Sequence, residues 1–290
     1  MSPPVDPELT PPQTTRYPRT ISLGAAAEAD GGGPMTAIYV PPGVDTTKDK
    51  VNLVLWLHGH KDIQPPNVQT YLNDARFALR EIMASRGAKG VSGTPSGTST
   101  VMVAPPVVMV APTLGALDES GTLATDAEGY LKQAKQAMTS LLSFPASVSW
   151  PQVVIGCHSG GGKVAKEIAA QVAMAASNQG GKLAEIWHFD SLYENDPQTA
   201  ADPEPTASWW ASWAGFNPGT QIKVFHLTTT AHSLYLQASA AKQGFTNVTV
   251  KPSTDKTHAT VARTHFPECY DAWLVAMSTP APAPPAPAAP

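Results

Sequence analysis

The sequence has few charged residues, little net charge and no long apolar run. Only 14% of its 290 residues are charged and the formal net charge is −4, so no basic surface for nucleic acid is indicated. No apolar stretch approaches the roughly 20 residues that a transmembrane helix needs. We therefore expect neither a nucleic-acid-binding protein nor a transmembrane segment.

Cysteines are also scarce, because only Cys157 and Cys269 are present. Two cysteines do not make a disulfide framework, and we expect both to be unpaired thiols. The N-terminal sequence MSPPVDPELTPPQ lacks the basic and apolar segments of a secretory signal. A cytoplasmic location is therefore the default expectation, and the oligomeric state is left open.

The chain does contain a regular alternation of short apolar runs and helical patterns. The apolar runs predict strands at 20–23, 36–40, 51–57, 107–111, 153–155, 183–189, 222–227 and 247–250, with the near-repeat at 101–106 as the alternative to 107–111. Apolar residues at helical spacing predict helices at 68–82, 127–142, 164–172, 233–241 and from the loop after 250 toward 277. This alternation predicts an α/β fold with a mainly parallel sheet and helices on both faces.

The ends of the chain differ in composition from the middle. Residues 1–18 are rich in proline and threonine, and we expect a disordered arm. Residues 19–278 form the predicted domain, and the Pro/Ala tail 279–290 is expected to be extended. The segment 194–219, rich in Asp, Pro and Trp, is interpreted as a candidate cap insertion.

A predicted strand, a turn of small residues and a predicted helix meet at Ser159. The sequence GCHSGGG lies between the strand at 153–155 and the helix at 164–172. A serine on so tight a turn needs small neighbours, and the turn lifts its Oγ clear of the sheet beside a helix N-terminus. The alternative is a glycine-rich loop that binds a phosphate or only reverses the chain.

The motif Cys157-His158-Ser159-Gly160-Gly161 resembles the nucleophile elbow of the α/β-hydrolase superfamily. The order of strands and helices over about residues 20–278 is similar as well. One departure is Cys157, at a position where the superfamily usually has glycine. The resemblance implies the α/β-hydrolase fold, with Ser159 as the nucleophile of a serine hydrolase.

The same resemblance implies a base among the later histidines, because the superfamily order is nucleophile, acid and then histidine. His258 follows the last predicted strand and precedes the last helix, where the superfamily places its base. His265 is the second choice. His188 and His226 lie inside predicted strands and are interpreted as core histidines.

The acid is expected after one of the predicted strands. The loop that follows 222–227, the commonest place in the superfamily, contains no carboxylate. Asp190 ends the preceding strand and is therefore the favoured acid, with a turn-capping role as the alternative. Asp196 and Asp255 remain open as other candidates for the acid.

The resemblance also implies an oxyanion hole made by two backbone N–H groups. One belongs to Gly160, and the other to His60 or its neighbour Lys61 in the loop after the strand 51–57. Candidate substrate-binding residues are His158 and three tryptophans of the insertion, namely Trp209, Trp210 and Trp213. Packing is the alternative for the tryptophans, since Trp209 and Trp213 are spaced i, i+4.

A different reading applies to the run His58-Gly59-His60-Lys61-Asp62. It resembles the first metal motif of the metallo-β-lactamase superfamily, which would make the protein a zinc metallohydrolase. That motif normally ends in a further histidine, and Ile63 stands there in this sequence. We therefore expect no metal and no cofactor.

The predicted function is hydrolysis of carboxylic esters through an acyl-enzyme intermediate, with esterase-like or lipase-like chemistry. The expected partner is a small-molecule or lipid-like ester substrate. A peptidase or an acyltransferase would use the same triad, so both stay open. A non-catalytic binding module with the same fold is the remaining alternative.

Overall fold

The central sheet of the computed structural model has eight strands within the residues that the structure describes. Those residues are 20–23, 36–59, 78–87, 106–112, 114, 122–193 and 204–278. The strands are β1 (Thr20–Leu23), β2 (Thr36–Tyr39), β3 (Asn52–Leu57), β4 (Val107–Pro112), β5 (Gln152–His158), β6 (Lys182–Phe189), β7 (Gln221–His226) and β8 (Val248–Pro252). The helices are α1 (Leu79–Gly87), α2 (Thr122–Thr125), α3 (Ala127–Leu142), α4 (Gly161–Asn178), α5 (Glu204–Phe216), α6 (Thr230–Lys242) and α7 (Val261–Ser278), and a 3₁₀ helix covers His258–Thr260.

The strands lie in the order β1-β2-β4-β3-β5-β6-β7-β8. β2 pairs antiparallel with both β1 and β4, and every later pair is parallel. The mainly parallel sheet predicted from the alternation of elements is therefore confirmed. Because β5, β6 and β7 are parallel neighbours, the residues that follow their carboxyl ends meet at one edge of the sheet.

Apolar side chains cover both faces of the sheet. Leu53 and Leu55 of β3 belong to one core cluster, which α3, α4, α5 and α6 complete. Val54 and Trp56 point to the other face and pack with α1 and α7. A strand buried on both faces needs a continuous apolar run rather than an alternating one, which explains the sequence of β3.

Most element predictions are confirmed within the described residues, although several elements differ in extent. β4 and α3 lie where the apolar patterns placed them. α6 begins at Thr230 rather than near Ser233. β8 continues to Pro252 instead of Val250, because its pairing with β7 extends as far as His226.

Some predicted segments lie outside the described residues. These are the arm 1–18, the tail 279–290, residues 194–203 of the insertion and the first part of the helix predicted for 68–82. The rest of the insertion is largely α5, which packs against α6. None of the helices in the described ranges is both long enough and apolar enough to cross a membrane.

Candidate active site

Ser159 lies in a sharp turn between β5 and α4. Its φ of 53° is in the left-handed region, which non-glycine residues rarely adopt. The N–H of Ser159 bonds the carbonyl oxygen of Phe189 at 3.3 Å, and the N–H of Gly162 bonds the carbonyl oxygen of Ser159 at 3.1 Å. The backbone at Ser159 is thus strained and held by its neighbours, as in a nucleophile elbow.

Glycines surround this turn because the chain passes too close for side chains. A Cβ on Gly59 would lie 2.4 Å from Cβ of Ser159, and a Cβ on Gly161 would lie 2.5 Å from the carbonyl oxygen of Leu57. These contacts bring the end of β3 against the serine and the start of α4. The loop after β3 therefore begins beside Ser159.

Cys157, the departure from the usual pattern, is fully buried below the turn. Its Sγ lies 3.3 Å from both Nδ1 of His188 and Oγ of Ser191. Burial raises the pKa of the Cys157 thiol to about 12, although the hydrogen bond with Ser191 lowers it. The same burial lowers the pKa of His188 to about 3, so this cluster is uncharged at neutral pH.

Asp190 follows β6 directly and is completely buried. Its φ of 49° is also left-handed. Oδ1 accepts hydrogen bonds of 2.9 Å from the N–H groups of Leu227, Thr228 and Thr229 and from the Thr229 hydroxyl. The strand-end aspartate is thus enclosed by the loop that follows β7.

The carboxyl group of Asp190 is ionised in this environment. Burial would raise its pKa, but hydrogen bonds from His258 and from the loop 227–229 outweigh that effect. The pKa of Asp190 therefore lies well below its ordinary value. A cationic or N–H partner on the side that the loop leaves open would stabilise this buried carboxylate further.

His258 is that partner. Its Nδ1 lies 2.6 Å from Oδ2 of Asp190, which is the contact that the sequence predicted. Because the carboxylate can only accept, Nδ1 carries a proton and donates it, so the lone pair of the neutral imidazole is on Nε2. A histidine held in this tautomer can act as a base through Nε2.

Two residues that the sequence analysis did not single out complete the surroundings of this pair. Thr228 donates its hydroxyl to Oδ2 of Asp190 at 2.7 Å, and the Tyr193 hydroxyl bonds the Thr228 hydroxyl. The Tyr193 oxygen also lies 3.4 Å from Nδ1 of His258, and its ring meets the imidazole edge to face. Tyr193 thus covers the contact between Asp190 and His258.

Comparison with known proteins bears on the fold. No protein-family model matches this sequence and no curated protein does so either. A ferulic acid esterase superposes with a TM-score of 0.59 at 11% identity, over 89% of this chain and 98% of the other. An S-formylglutathione hydrolase from Agrobacterium tumefaciens gives 0.53 at 12% identity, over 90% and 96% of the two chains.

The feruloyl esterase module from Clostridium thermocellum, complexed with sinapinate, gives 0.50 at 15% identity over 94% of this chain and 92% of that one. This chain has the α/β-hydrolase fold. The fold class predicted from the elbow and from the order of elements is therefore confirmed, and two of these three structures are named as esterases.

The other candidates for acid and base in this α/β-hydrolase fold have different surroundings. Asp255 accepts hydrogen bonds from the hydroxyls of Ser253, Thr260 and Thr264 at 3.1, 3.1 and 2.9 Å. His265 stacks on a phenylalanine of β7, and its Nε2 lies 3.0 Å from Oγ of Ser253. Both therefore stabilise the loop before α7, and Asp196 lies outside the described residues.

The two expected oxyanion donors differ in how far the structure describes them. Gly160 directly follows Ser159 and is the N-cap residue of α4, so its N–H belongs to the turn itself. His60 and Lys61 lie outside the described residues.

The run that suggested a metal site has a structural role at its first histidine. His58 is buried, and its Nε2 accepts a 2.9 Å hydrogen bond from the N–H of Leu114. Nδ1 of His58 lies 2.7 Å from the carbonyl oxygen of Gly59, to which it donates. Within the described residues, which exclude His60 and Asp62, no group of three or more metal-ligating side chains occurs.

The tryptophans of the insertion pack within the protein. Trp210 is fully buried and Trp213 is 7% exposed, and both belong to the core cluster that contains Leu53. Trp209 is half-buried and packs against the same cluster. Trp210 also contacts the ring of His188 edge to face. These contacts favour the packing alternative over a platform for substrate.

Proposed function

We propose that this protein is a serine hydrolase that cleaves carboxylic esters through an acyl-enzyme intermediate on Ser159. The observation that carries the proposal is the 2.6 Å contact between His258 and a buried, ionised Asp190. This pair lies at the sheet edge where the strained turn at Ser159 also ends a strand. A weak hydroxyl nucleophile needs such a base with its own orienting acid.

In the proposed reaction, Nε2 of His258 takes the proton of Ser159 as Oγ attacks the ester carbonyl carbon. The carboxylate of Asp190 keeps the proton on Nδ1 and stabilises the imidazolium that forms. The imidazolium then gives its proton to the leaving alcohol as the carbon–oxygen bond breaks. Water, activated by the same histidine, attacks the acyl-enzyme and releases the acid and Ser159.

The negative charge that develops on the carbonyl oxygen needs preorganised donors. We assign one to the N–H of Gly160, because that residue follows the nucleophile at the start of α4. The second is assigned to His60, whose neighbour Gly59 lies against Ser159. Both groups would act only on the tetrahedral intermediate, so they would raise kcat more than they lower KM.

Two arguments favour an ester hydrolase over a binding module. A non-catalytic binding site would not need a buried carboxylate whose hydrogen bond holds a histidine in one tautomer. In addition, the similar α/β-hydrolase structures are named a ferulic acid esterase and a feruloyl esterase module. Small aryl and alkyl esters are therefore the first substrates to test.

The test combines turnover with active-site labelling. The wild-type protein should hydrolyse p-nitrophenyl acetate or methyl ferulate, and Ser159→Ala should reduce the rate to background while the melting temperature stays nearly unchanged. A fluorophosphonate probe should modify Ser159 alone, as mapped by peptide mass spectrometry. Ser140→Ala is the matched control, because Ser140 is exposed on α3 and bonds only its own helix. Full turnover by Ser159→Ala, or a label on another residue, would contradict the proposal.

A further inference from the structure

His158, the residue before Ser159, makes two contacts with His258. Its Nε2 lies 3.0 Å from the carbonyl oxygen of His258, so Nε2 carries a proton and donates it. The two imidazole rings lie 4.6 Å apart between centroids, with 30° between their planes. The neighbour of the proposed nucleophile thus contacts both the backbone and the ring of the proposed base.

His158 occupies a rigid position. It is the last residue of β5, pairs with Phe189 of β6 and is only 5% exposed. β5 is a central strand with parallel neighbours on both sides. The imidazole of His158 is therefore fixed by the sheet itself, and it offers little surface to a substrate.

His258 lies on a much smaller element. Its 3₁₀ helix spans three residues, and the residue that precedes this helix, Thr257, makes no side-chain capping hydrogen bond. The carbonyl oxygen of His258 accepts from the N–H of Val261 as well as from His158. The second of these bonds ties the short helix to the sheet.

Besides its edge-to-face contact with Tyr193, the ring of His258 is held from two directions. Asp190 binds Nδ1 at one edge, and His158 lies against one face of the ring. A single hydrogen bond to Asp190 would fix the distance between acid and base but would leave the imidazole able to rotate about that bond. A packed neighbour on the ring face restricts that rotation.

We propose that His158 is a positioning residue that holds the His258 imidazole in line with Ser159. His158 is bonded covalently to Ser159 and non-covalently to His258, which lies 100 residues later in the chain. This contact therefore joins the nucleophile turn directly to the loop that carries the base. The catalytic part of this inference rests on the proposed ester hydrolysis, and it assigns His158 a role different from the substrate binding that the sequence suggested.

Three substitutions separate the two contacts. His158→Gln keeps a donor where Nε2 stands, His158→Phe keeps the ring stacking without the donor, and His158→Leu removes both. We expect kcat on an aryl ester to fall roughly tenfold to a hundredfold in the leucine variant, with KM within about twofold, since small misplacements of reacting groups have effects of that size. Glutamine should restore most of the lost kcat, and phenylalanine should lie between. The phenylalanine variant also serves as the test if leucine prevents folding.

A second measurement does not depend on turnover. In protein labelled with ¹⁵N-histidine, the Nδ1 proton of His258 should give a low-field NMR signal that disappears in His258→Asn. We expect this signal to exchange faster with water in His158→Leu and to persist in His158→Gln. An unchanged signal and an unchanged kcat in His158→Leu would overturn the inference and leave the proposed function intact. If the wild type hydrolyses no ester, the proposed function fails, and the exchange of the His258 proton alone decides the role of His158.

Discussion

The hydroxyl of Thr228 donates a 2.7 Å hydrogen bond to Oδ2 of Asp190, the same oxygen that contacts His258. Thr228 belongs to the loop after β7, which contains no carboxylate of its own. The loop instead presents N–H and hydroxyl donors to a carboxylate from the preceding strand. Its threonines therefore support the proposed acid from the position where the acid itself is more often found.

Replacing Thr228 with valine should weaken that support. Valine has nearly the same shape but lacks the hydroxyl, so Asp190 loses one hydrogen bond and Tyr193 loses its hydrogen bond with Thr228. We expect kcat to fall about tenfold with KM little changed, and the free energy of unfolding to fall by about 1.5–3 kcal/mol, the usual range for a hydrogen bond to a charged group. Steady-state kinetics and urea unfolding measure the two effects. Thr228→Ser keeps the hydroxyl and should stay close to wild type, and equal losses in the serine and valine variants would contradict this role.

Asp190→Asn should remove most of the catalytic activity while leaving substrate binding nearly intact. An amide cannot hold the proton on Nδ1 of His258 as a carboxylate does, and it does not stabilise the imidazolium. In a related serine triad the same change lowers the rate on the order of 10⁴-fold. kcat and KM for an aryl ester measure the effect. A tenfold loss or less would show that His258 does not depend on Asp190.

The lowered pKa of Asp190 also predicts how stability depends on pH. A carboxyl group whose pKa is lower in the folded state than in the unfolded state stabilises the fold above its unfolded pKa of about 3.9, and that contribution is lost as the pH falls toward the folded value. The difference in unfolding free energy between wild type and Asp190→Asn should therefore shrink below pH 4, by up to about 1.4 kcal/mol per pH unit. Urea unfolding at pH 5 and pH 3 tests this expectation. A difference that grows toward pH 3 would mean that the carboxylate is not favoured in the folded protein.

Local patterns were sufficient to predict the fold, and they also indicate three candidate residues of the proposed site. The small residues around Ser159, the strand that ends at Asp190 and the loop that carries His258 are all visible as contiguous stretches of sequence. Their order along the chain then limits the topology, because a parallel sheet brings successive strand ends to one edge. The contact between Asp190 and His258 followed from that order and from the lack of a carboxylate after β7.

Contacts between distant side chains could not be predicted in the same way. Tyr193 and Thr228 are 35 residues apart, and neither stands in a pattern that marks it as polar support for a buried charge. The sequence indicates His158 only as a candidate for substrate binding, and nothing in it predicts that Nε2 of His158 donates to the backbone of His258. Such roles depend on how the side chains at the strand ends are oriented toward the neighbouring loops. Tertiary packing determines that orientation, and the local sequence does not.

Gly162 should not tolerate a side chain. A Cβ at this position would lie 1.8 Å from the carbonyl oxygen of Ser191, the residue after Asp190. Gly162→Ala must therefore separate the start of α4 from the end of β6, and we expect a loss of about 1–3 kcal/mol in unfolding free energy together with lower kcat. Thermal unfolding and ester kinetics measure both. Gly219→Ala is the matched control, because no atom lies within 4 Å of a Cβ there, and its properties should remain those of the wild type. Equal stability of the two variants would show that the structure accommodates a methyl group at residue 162 without losing unfolding free energy.

Thiol reagents should leave the native protein active. Cys157 lies two residues before Ser159. If an alkylating reagent reduced activity, modification of this thiol would therefore have to be distinguished from modification of Ser159. Both cysteines are unpaired but no more than 1% exposed, and burial raises the pKa of each thiol, that of Cys157 to about 12. The thiolate is the reactive species, so the native protein should react with 5,5′-dithiobis(2-nitrobenzoic acid) at pH 8 only as fast as it unfolds.

We expect no thiol released from the reagent in buffer, two equivalents in guanidinium chloride, and unchanged ester hydrolysis after incubation with iodoacetamide. Cys157→Ala should retain activity for the same reason, because its small side chain leaves the turn at Ser159 unobstructed. Rapid inactivation of the folded wild type, absent in Cys157→Ala, would instead make Cys157 the reactive residue of the turn.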